Sequence, residues 1–197
     1  AKVLQKIGGM SMLQRVLKTT EQLNSKSTVV LGHDKEGVLK HLQNIKGSIS
    51  TVIQANQLGT ADAVKSAMPN TKDDETILVL YGDVPLVSER SLQELIDQAA
   101  GGFSILTTYL DNPFGYGRVI TDTNNFATAI VEEKDASEDE KLINEIFTGI
   151  LCINQELLVA GLQDITNDNA AKEFYLTDLV KIISTKGTKI IPIRANN

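Results

Sequence analysis

A short apolar strand runs directly into a polar turn in residues 76–85, which read TILVLYGDVP. Residues 76–80 are nearly all apolar, a pattern typical of strands that are covered on both faces in a parallel α/β sheet. The turn that follows releases Asp83 between Gly82 and Pro85. Because ligands of open α/β sheets bind outside the carboxyl ends of the strands, the stretch predicts a carboxylate in a ligand-binding crevice, where it suits Mg²⁺. A turn-forming Asp beside Gly is the alternative interpretation.

Strand-like and helix-like segments alternate on both sides of this stretch. Apolar, β-branched runs predict strands at 27–31, 51–53, 76–80, 103–109, 127–131, 148–154 and 189–193. Apolar residues at helical spacing predict helices at 12–23, 35–42, 60–68, 92–100, 155–162 and 177–185. Ser91 and Glu94 have the spacing of a capping box, which indicates a helix start at Ser91. The alternation predicts an α/β fold with a doubly wound sheet that includes an antiparallel portion.

Composition limits the classes of function. The chain has 197 residues, and 19 Lys and Arg against 25 Asp and Glu give a formal net charge of −6. This balance argues against nucleic-acid binding, although a divalent cation can bridge acidic side chains to a phosphate-bearing small molecule. The single cysteine, Cys152, excludes an internal disulfide and is predicted to be an inert core residue. Because no apolar run is long enough for a membrane span and no signal peptide is present, we expect a cytoplasmic protein.

A second motif, QANQLGT, occupies residues 54–60 between a short strand and a helix. The primary amide of Gln54 offers a donor and an acceptor together, which matches the imide edge of uracil. Gly59 allows backbone N–H groups to approach a ligand, and Thr60 stands where a helix N-terminus favours an anion. A loop that ends in an N-cap Thr is the alternative.

Two further motifs lie in the second half of the chain. Residues 112–118 read NPFGYGR, and two glycines around an aromatic residue indicate a backbone that lies close to a ligand such as a sugar ring. Glu132, at the end of the strand at 127–131, can accept two hydrogen bonds from the hydroxyls of a hexose. Residues 173–178 read EFYLTD at the start of the last long helix. A β-turn with a surface Glu, and an ordinary helix start, are the alternatives.

Taken in this order, the motifs resemble the uridylyltransferase domain of the bacterial bifunctional N-acetylglucosamine-1-phosphate uridylyltransferase/glucosamine-1-phosphate acetyltransferase family. The segments that carry the resemblance are KVL at 2–4, QANQLGT at 54–60, LYGDVPL at 80–86, GYGR at 115–118, IVEEKD at 130–135, TGI at 148–150 and EFYLTD at 173–178. The resemblance implies a Rossmann-like nucleotidyltransferase fold, with a mixed, mostly parallel sheet and helices on both faces.

The resemblance also implies roles for individual residues. Lys2 and Asp83 are the implied catalytic residues: Lys2 meets the phosphates of the reacting pair, and Asp83 binds the catalytic Mg²⁺. The implied substrate-binding residues are Gln54, Gly59 and Thr60 at the uracil, Tyr81 and Gly82 along the sugar site, and Gly117 and Glu132 on the N-acetylglucosamine.

The implied reaction transfers a uridylyl group from UTP to N-acetylglucosamine 1-phosphate for peptidoglycan and lipopolysaccharide synthesis. In-line attack on the α-phosphorus needs positioning and charge neutralisation and no covalent nucleophile. Another sugar-phosphate nucleotidyltransferase and a non-catalytic sugar-nucleotide-binding module are the alternatives. A homotrimer is implied only where a C-terminal β-helix domain is present.

The sequence departs from the pattern of this family in several places. The glycine-rich loop LAAGxGTRM is absent, so we expect residues 1–197 to be a single nucleotidyltransferase domain that is incomplete at both ends. Phe147 stands where the family has Asn, which removes a hydrogen bond expected near the ribose or the sugar. The family's second metal ligand is an Asn beyond the end of the chain, so neither Asn196 nor Asn197 is assigned to it.

Overall fold

The fold is described from a computed structural model, for residues 1–45 and 47–195. Within this part of the chain the strands are β1 Lys6–Ile7, β2 Met10–Ser11, β3 Ser27–Leu31, β4 Ile49–Ile53, β5 Thr76–Val79, β6 Phe103–Tyr109, β7 Arg118–Thr121, β8 Ala127–Val131, β9 Glu145–Asn154 and β10 Ile190–Arg194. The helices are α1 Met12–Gln22, α2 Lys35–Leu42, α3 Thr60–Ala67, α4 Glu89–Ala99, α5 Glu138–Lys141, α6 Gln155–Asp164 and α7 Asp178–Thr185. A 3₁₀ turn at Lys2–Leu4 precedes them.

The main sheet has six strands and is organised around β9. One edge of β9 pairs antiparallel with β6, which in turn pairs parallel with β10. The other edge pairs antiparallel with β5 and, at its beginning, with β7, and β8 lies antiparallel beyond β7. Strands β5, β6, β7 and β10 therefore share one direction, and β8 and β9 run the opposite way. The sheet is therefore mixed, as predicted, and mostly parallel in the sense that four of its six strands run in one direction, although the pairs around β9 are antiparallel. Strands β3 and β4 add a separate parallel pair.

Helices cover both faces of this sheet, as predicted. The side chains of Leu151 and Ile153 pack into the cluster that contains α6 and α7. Their neighbours Ile150 and Cys152 pack with α4 on the opposite face, because successive residues of a strand point to opposite sides. Cys152 is fully buried, and burial raises its pKa to about 12, which confirms its interpretation as an inert core thiol.

The differences from the predicted elements concern polar or very short segments. Helix α4 begins at Glu89, and its N-cap is Ser88, whose hydroxyl accepts the N–H of Ser91 at 3.1 Å. The predicted start at Ser91 is wrong because the first turn of α4 is polar and carries none of the apolar stripe. Strand β7 was not predicted because Arg118–Thr121 is short and begins with a charged residue, so only Val119 and Ile120 carry an apolar signal. None of the helices in the described ranges is both long and apolar enough to cross a bilayer.

Candidate active site

The turn after β5 places Tyr81, Gly82 and Asp83 at the carboxyl end of that strand. The N–H of Val84 donates to the Tyr81 carbonyl at 3.1 Å and closes the turn. A Cβ on Gly82 would lie 3.3 Å from the side chain of Val3, so the glycine allows the 3₁₀ turn at the chain's beginning to pack against this loop. The packing brings together the two residues predicted to be catalytic.

The ammonium group of Lys2 and the carboxylate of Asp83 form an ion pair at this turn. Lys2 Nζ lies 2.9 Å from Asp83 Oδ2, and the two side chains are 71% and 34% exposed. The hydrogen bond to Asp83 and its charge raise the pKa of Lys2, so the lysine is an ammonium at neutral pH. An ion pair with this much exposure is weak and is screened by salt. Lys2 or Asp83 can therefore leave its partner for a ligand with little loss of free energy.

Tyr81 lies next to the Lys2–Asp83 pair. Its ring lies against Gly149, where a Cβ would be 2.8 Å from the ring carbons and where φ is 88°. Burial raises the pKa of Tyr81 to about 12 and the charge of Glu132 adds to the effect, while the Thr60 hydroxyl opposes it. The phenol is therefore neutral, and its hydroxyl is a hydrogen-bond donor beside Thr60.

Glu132 lies on the other side of Tyr81, at the end of β8. Its Oε1 accepts a hydrogen bond from the Thr177 hydroxyl at 2.9 Å. A Cβ on Gly117 would lie 3.5 Å from Oε2, so the backbone of the GYGR segment runs along this carboxylate. Burial raises the pKa of Glu132, the charges of Asp178 and Asp135 raise it further, and the Thr177 hydrogen bond lowers it. Glu132 is thus a carboxylate with unused acceptor capacity in a half-buried, acidic setting.

The Gln54 amide is held inside the QANQLGT loop. Its Nε2 donates to the Gly59 carbonyl at 3.1 Å and to Asp62 Oδ2 at 2.7 Å. Both amide hydrogens are engaged, so the carbonyl oxygen is the part of the amide that remains for a ligand. The sequence predicted that the Gln54 amide offers uracil both a donor and an acceptor, but in the structure only its carbonyl oxygen is available.

Gly59 is required by a close approach of the chain's own backbone. Its φ is 129°, and a Cβ there would lie 2.5 Å from the Phe174 carbonyl oxygen. The N–H of Phe174 donates to Leu58 O at 2.8 Å, and the N–H of Ala61 donates to Phe174 O at 2.9 Å. These bonds fasten the QANQLGT loop to the EFYLTD segment, while the approach of a ligand to Gly59 remains a prediction.

Thr60 is the first residue of α3, and Gly59 is its N-cap. The alternative interpretation of Thr60 as an N-cap is therefore wrong. The Thr60 hydroxyl instead accepts the N–H of Leu176 at 2.9 Å, which adds a third bond between the two segments. Thr60 is exposed and stands beside Tyr81, so the loop, the turn after β5 and the EFYLTD segment meet at one place.

These contacts place the predicted site residues in neighbouring segments, while their roles remain predictions, and the structure adds other residues that the sequence did not single out for the site. Gly149 and Thr177 lie in the TGI and EFYLTD motifs, and those motifs were the available signal for them. The Phe147 side chain is buried in the core, yet its N–H donates to the Gly117 carbonyl at 2.9 Å. Phe147 therefore supports the site through its backbone. Asn196 and Asn197 lie outside the described residues.

Asp83 is the residue available to hold a metal ion. Among residues 1–45 and 47–195, no three His, Cys, Asp or Glu side chains converge on one cation site. A single accessible carboxylate does fit a hard cation that takes one or two protein oxygens and completes its shell with phosphates and water. The donor set at Asp83 therefore suits a divalent cation that arrives together with a nucleotide.

The fold and this site define an α/β nucleotidyltransferase: a carboxylate and hydroxyl-binding groups follow strand ends, and a lysine from the 3₁₀ turn pairs with that carboxylate. Comparison with known families agrees. Residues 1–142 match the MobA-like NTP transferase domain, and the chain belongs to this family. Nucleotidyltransferases of this kind generally use a divalent metal.

Curated relatives and solved structures give further similarities. The chain is 43% identical over 197 residues to the bifunctional protein GlmU of Neisseria meningitidis serogroup A, covering 100% of this chain and 42% of that protein. It is 44% identical over 195 residues to GlmU of Psychrobacter cryohalolentis, covering 98% of this chain and 43% of that protein. The chain therefore spans less than half the length of these relatives. The crystal structure of UDP-glucose pyrophosphorylase with UDP-glucose matches with a TM-score of 0.77 at 15% identity, over 99% of this chain and 83% of that one, which confirms the fold.

Proposed function

We propose that the protein transfers a uridylyl group from UTP to N-acetylglucosamine 1-phosphate and releases pyrophosphate. The observation that carries the proposal is the exposed Lys2–Asp83 pair beside Tyr81 and the half-buried Glu132. It combines a group for phosphates with groups for sugar hydroxyls at one edge of the sheet. The identity to the GlmU proteins over the whole chain supports the choice of base and sugar.

In this proposal the phosphates are handled by Lys2 and Asp83. Lys2 leaves Asp83 and pairs with phosphate oxygens, where its charge stabilises the negative charge that develops during transfer. Asp83 would hold Mg²⁺, which neutralises phosphate charge when it is bound. An oxygen of the sugar phosphate attacks the α-phosphorus, and the bond to pyrophosphate breaks. Because the nucleophile is already an anion, the step requires no general base.

The sugar and the base are held by separate groups. Glu132 keeps acceptor capacity for sugar hydroxyls while Thr177 fixes one of its oxygens, and the neutral Tyr81 hydroxyl is a donor nearby. The backbone at Gly117 lies along the same carboxylate. The free acceptor of Gln54 matches the imide N–H of uracil, beside Gly59 and Thr60.

The cellular setting is part of the same proposal. The product would serve peptidoglycan and lipopolysaccharide synthesis in the cytoplasm, and the protein would bind no nucleic acid. We further propose that residues 1–197 form one nucleotidyltransferase domain. A homotrimer would form only where a C-terminal β-helix domain follows.

The test is a substrate panel with the full-length protein. Pyrophosphate release is measured with UTP, CTP, GTP and dTTP, each with N-acetylglucosamine 1-phosphate or glucose 1-phosphate, with Mg²⁺ or with EDTA. We expect turnover to require Mg²⁺ and to favour UTP with N-acetylglucosamine 1-phosphate. Preference for another base or for glucose 1-phosphate would replace the proposal with another sugar-phosphate nucleotidyltransferase. Binding of UDP-N-acetylglucosamine without any turnover would favour a binding module.

A further inference from the structure

Arg118 is a fully buried charged residue that the proposed function does not use. Its side chain is 2% exposed, and its Nη2 lies 2.7 Å from the Glu133 carboxylate, whose side chain is 19% exposed. Its Nη1 donates to the Tyr116 carbonyl. The same oxygen of Glu133 accepts the N–H of Gly115 at 3.2 Å. Arg118 and Glu133 thus hold the backbone of the GYGR segment at two neighbouring residues.

Each member of this pair follows a residue assigned to the sugar. Arg118 comes directly after Gly117, and Glu133 comes directly after Glu132. Arg118 also pairs with Val131 in the antiparallel register of β7 and β8, so the ion pair ties the two strands at the end where the sugar groups lie. A shift in either strand would change the distance between the Gly117 backbone and the Glu132 carboxylate.

Residues 114–116, between the buried Pro113 and Gly117, are exposed and do not hold their position by packing. The Phe114 side chain is 74% exposed and that of Tyr116 is 48% exposed. Within the loop, the Tyr116 N–H donates to Pro113 O at 3.2 Å. The placement of residues 114–116 depends on the polar contacts that Arg118 and Glu133 make with Tyr116 and Gly115.

We propose that Arg118 and Glu133 are positioning residues that fix the Gly115–Gly117 backbone against Glu132 and thereby set the affinity for the sugar phosphate. The inference rests on the proposed function. A buried ion pair often contributes no more stability than apolar residues of similar volume, so stability does not explain its presence. The guanidinium does offer two donors in a fixed fork, which can reach a carboxylate and a carbonyl at the same time.

The main test is the double variant Arg118→Met/Glu133→Met. Replacing both charges with apolar side chains of similar length leaves no charge unpaired, so we expect the protein to fold. The KM for N-acetylglucosamine 1-phosphate should rise about tenfold or more, because the sugar groups are no longer held in register. The KM for UTP and kcat should change far less, since the nucleotide groups lie on other segments. An unchanged sugar-phosphate KM, or equal rises for both substrates, would overturn the inference.

A conservative variant and a control separate positioning from folding. Arg118→Lys keeps a charge for Glu133 but lacks the second donor for Tyr116 O, so its Tm should stay near the wild-type value while the sugar-phosphate KM still rises. Lys186→Met removes an exposed ion pair with Asp164 of 2.6 Å and should change neither quantity. We call the contacts of Arg118 and Glu133 with the Gly115 and Tyr116 backbone the clamp. A wild-type KM for the sugar phosphate in Arg118→Lys would show that the charge alone suffices and would contradict the clamp.

Hydrogen–deuterium exchange of the peptide at 112–117 tests the clamp without any substrate. We expect faster exchange in the double variant and in Arg118→Lys than in the wild type or Lys186→Met. If the wild-type protein prefers another sugar phosphate, the KM comparison is made with that compound. If it shows no turnover at all, the proposed function fails, and unchanged exchange at 112–117 would overturn the clamp independently.

Discussion

The ion pairs Lys2–Asp83 and Arg118–Glu133 have nearly the same length, but the first is exposed to solvent and the second is largely buried. Lys2 and Asp83 lie 2.9 Å apart with side chains that are 71% and 34% exposed, whereas Arg118 and Glu133 lie 2.7 Å apart with side chains that are 2% and 19% exposed. Water and salt weaken the first pair, and burial protects the second from both. The contrast supports the proposal that Lys2 and Asp83 exchange each other for phosphate and a cation, while Arg118 and Glu133 stay paired.

The largest expected effect comes from Asp83→Ala. Removing the carboxylate that would hold the metal should reduce Mg²⁺-dependent turnover by at least about 10²–10³-fold, the size found for loss of one group that stabilises a transition state. The Tm should not change, because the Lys2 ammonium remains hydrated. Pyrophosphate release and thermal melts measure both, with the exposed loop variant Asp73→Ala as the control. Retained turnover would remove Asp83 from the site.

Arg118→Met tests the buried pair by breaking it from one side. We expect the free energy of unfolding to fall by about 2–3 kcal/mol, somewhat less than for a wholly buried pair because Glu133 keeps some contact with water. Urea unfolding of the variant, compared with Arg118→Met/Glu133→Met, measures the effect. The double variant should recover much of the lost stability. A single variant as stable as the wild type would mean that the two pairs do not differ as described.

Glu132→Gln should raise stability while it weakens binding. Burial raises the folded-state pKa of Glu132 above its unfolded value, so stability is lost as pH rises from the ordinary carboxyl range through the raised pKa. The variant should therefore melt higher than the wild type at pH 8 and equally at pH 4. Its affinity for UDP-N-acetylglucosamine should fall about tenfold, since an ionised acceptor is lost.

Thermal melts at the two pH values and calorimetric titration of UDP-N-acetylglucosamine check this prediction. Glu94→Gln, on the exposed side of α4, is the matched control and should show neither change. A wild-type protein that is more stable than Glu132→Gln at pH 8 would contradict the inference that burial destabilises the ionised form of Glu132.

The smallest effect is expected for the stability of Lys2→Met. Because the Lys2–Asp83 pair is exposed, its loss should leave the Tm of the protein within about 1 °C, in low salt and in high salt alike. The same variant should lose turnover with UTP, which separates its effect on chemistry from its effect on folding. A clear, salt-sensitive drop in Tm would show that this pair also stabilises the fold.

The main elements could be predicted because their apolar patterns are strong. The strands at Ser27–Leu31 and Phe103–Tyr109 and the helix at Lys35–Leu42 have the predicted bounds. Elements with a polar or short beginning, such as the first turn of α4 and strand β7, carry too little apolar periodicity to be recognised. Ser137 and Glu140 form a capping box at α5 instead.

The candidate site could be predicted as a set of residues, but its internal contacts could not. Motifs placed Asp83, Gln54 and Glu132 at strand ends. Strands β5 and β8 run in opposite directions and β4 belongs to a separate pair, so the way these ends meet could not be read from the sequence. The hydrogen bond from Thr177 to Glu132, and the ion pair between Arg118 and Glu133, depend on how separate segments pack. Sequence motifs identify such residues without showing which of them meet.

The close packing of Gly59 against Phe174, with the hydrogen bonds on either side of it, has a consequence for protein engineering. The loop expected to read the base makes two hydrogen bonds with the segment beside the sugar, the next residue Ala61 makes a third, and no space is left for a side chain at Gly59. A chimera that imports residues 54–60 from a relative with another base preference must therefore import residues 173–177 as well. In a recombination library the two segments should be inherited as one block, although more than a hundred residues separate them in the chain.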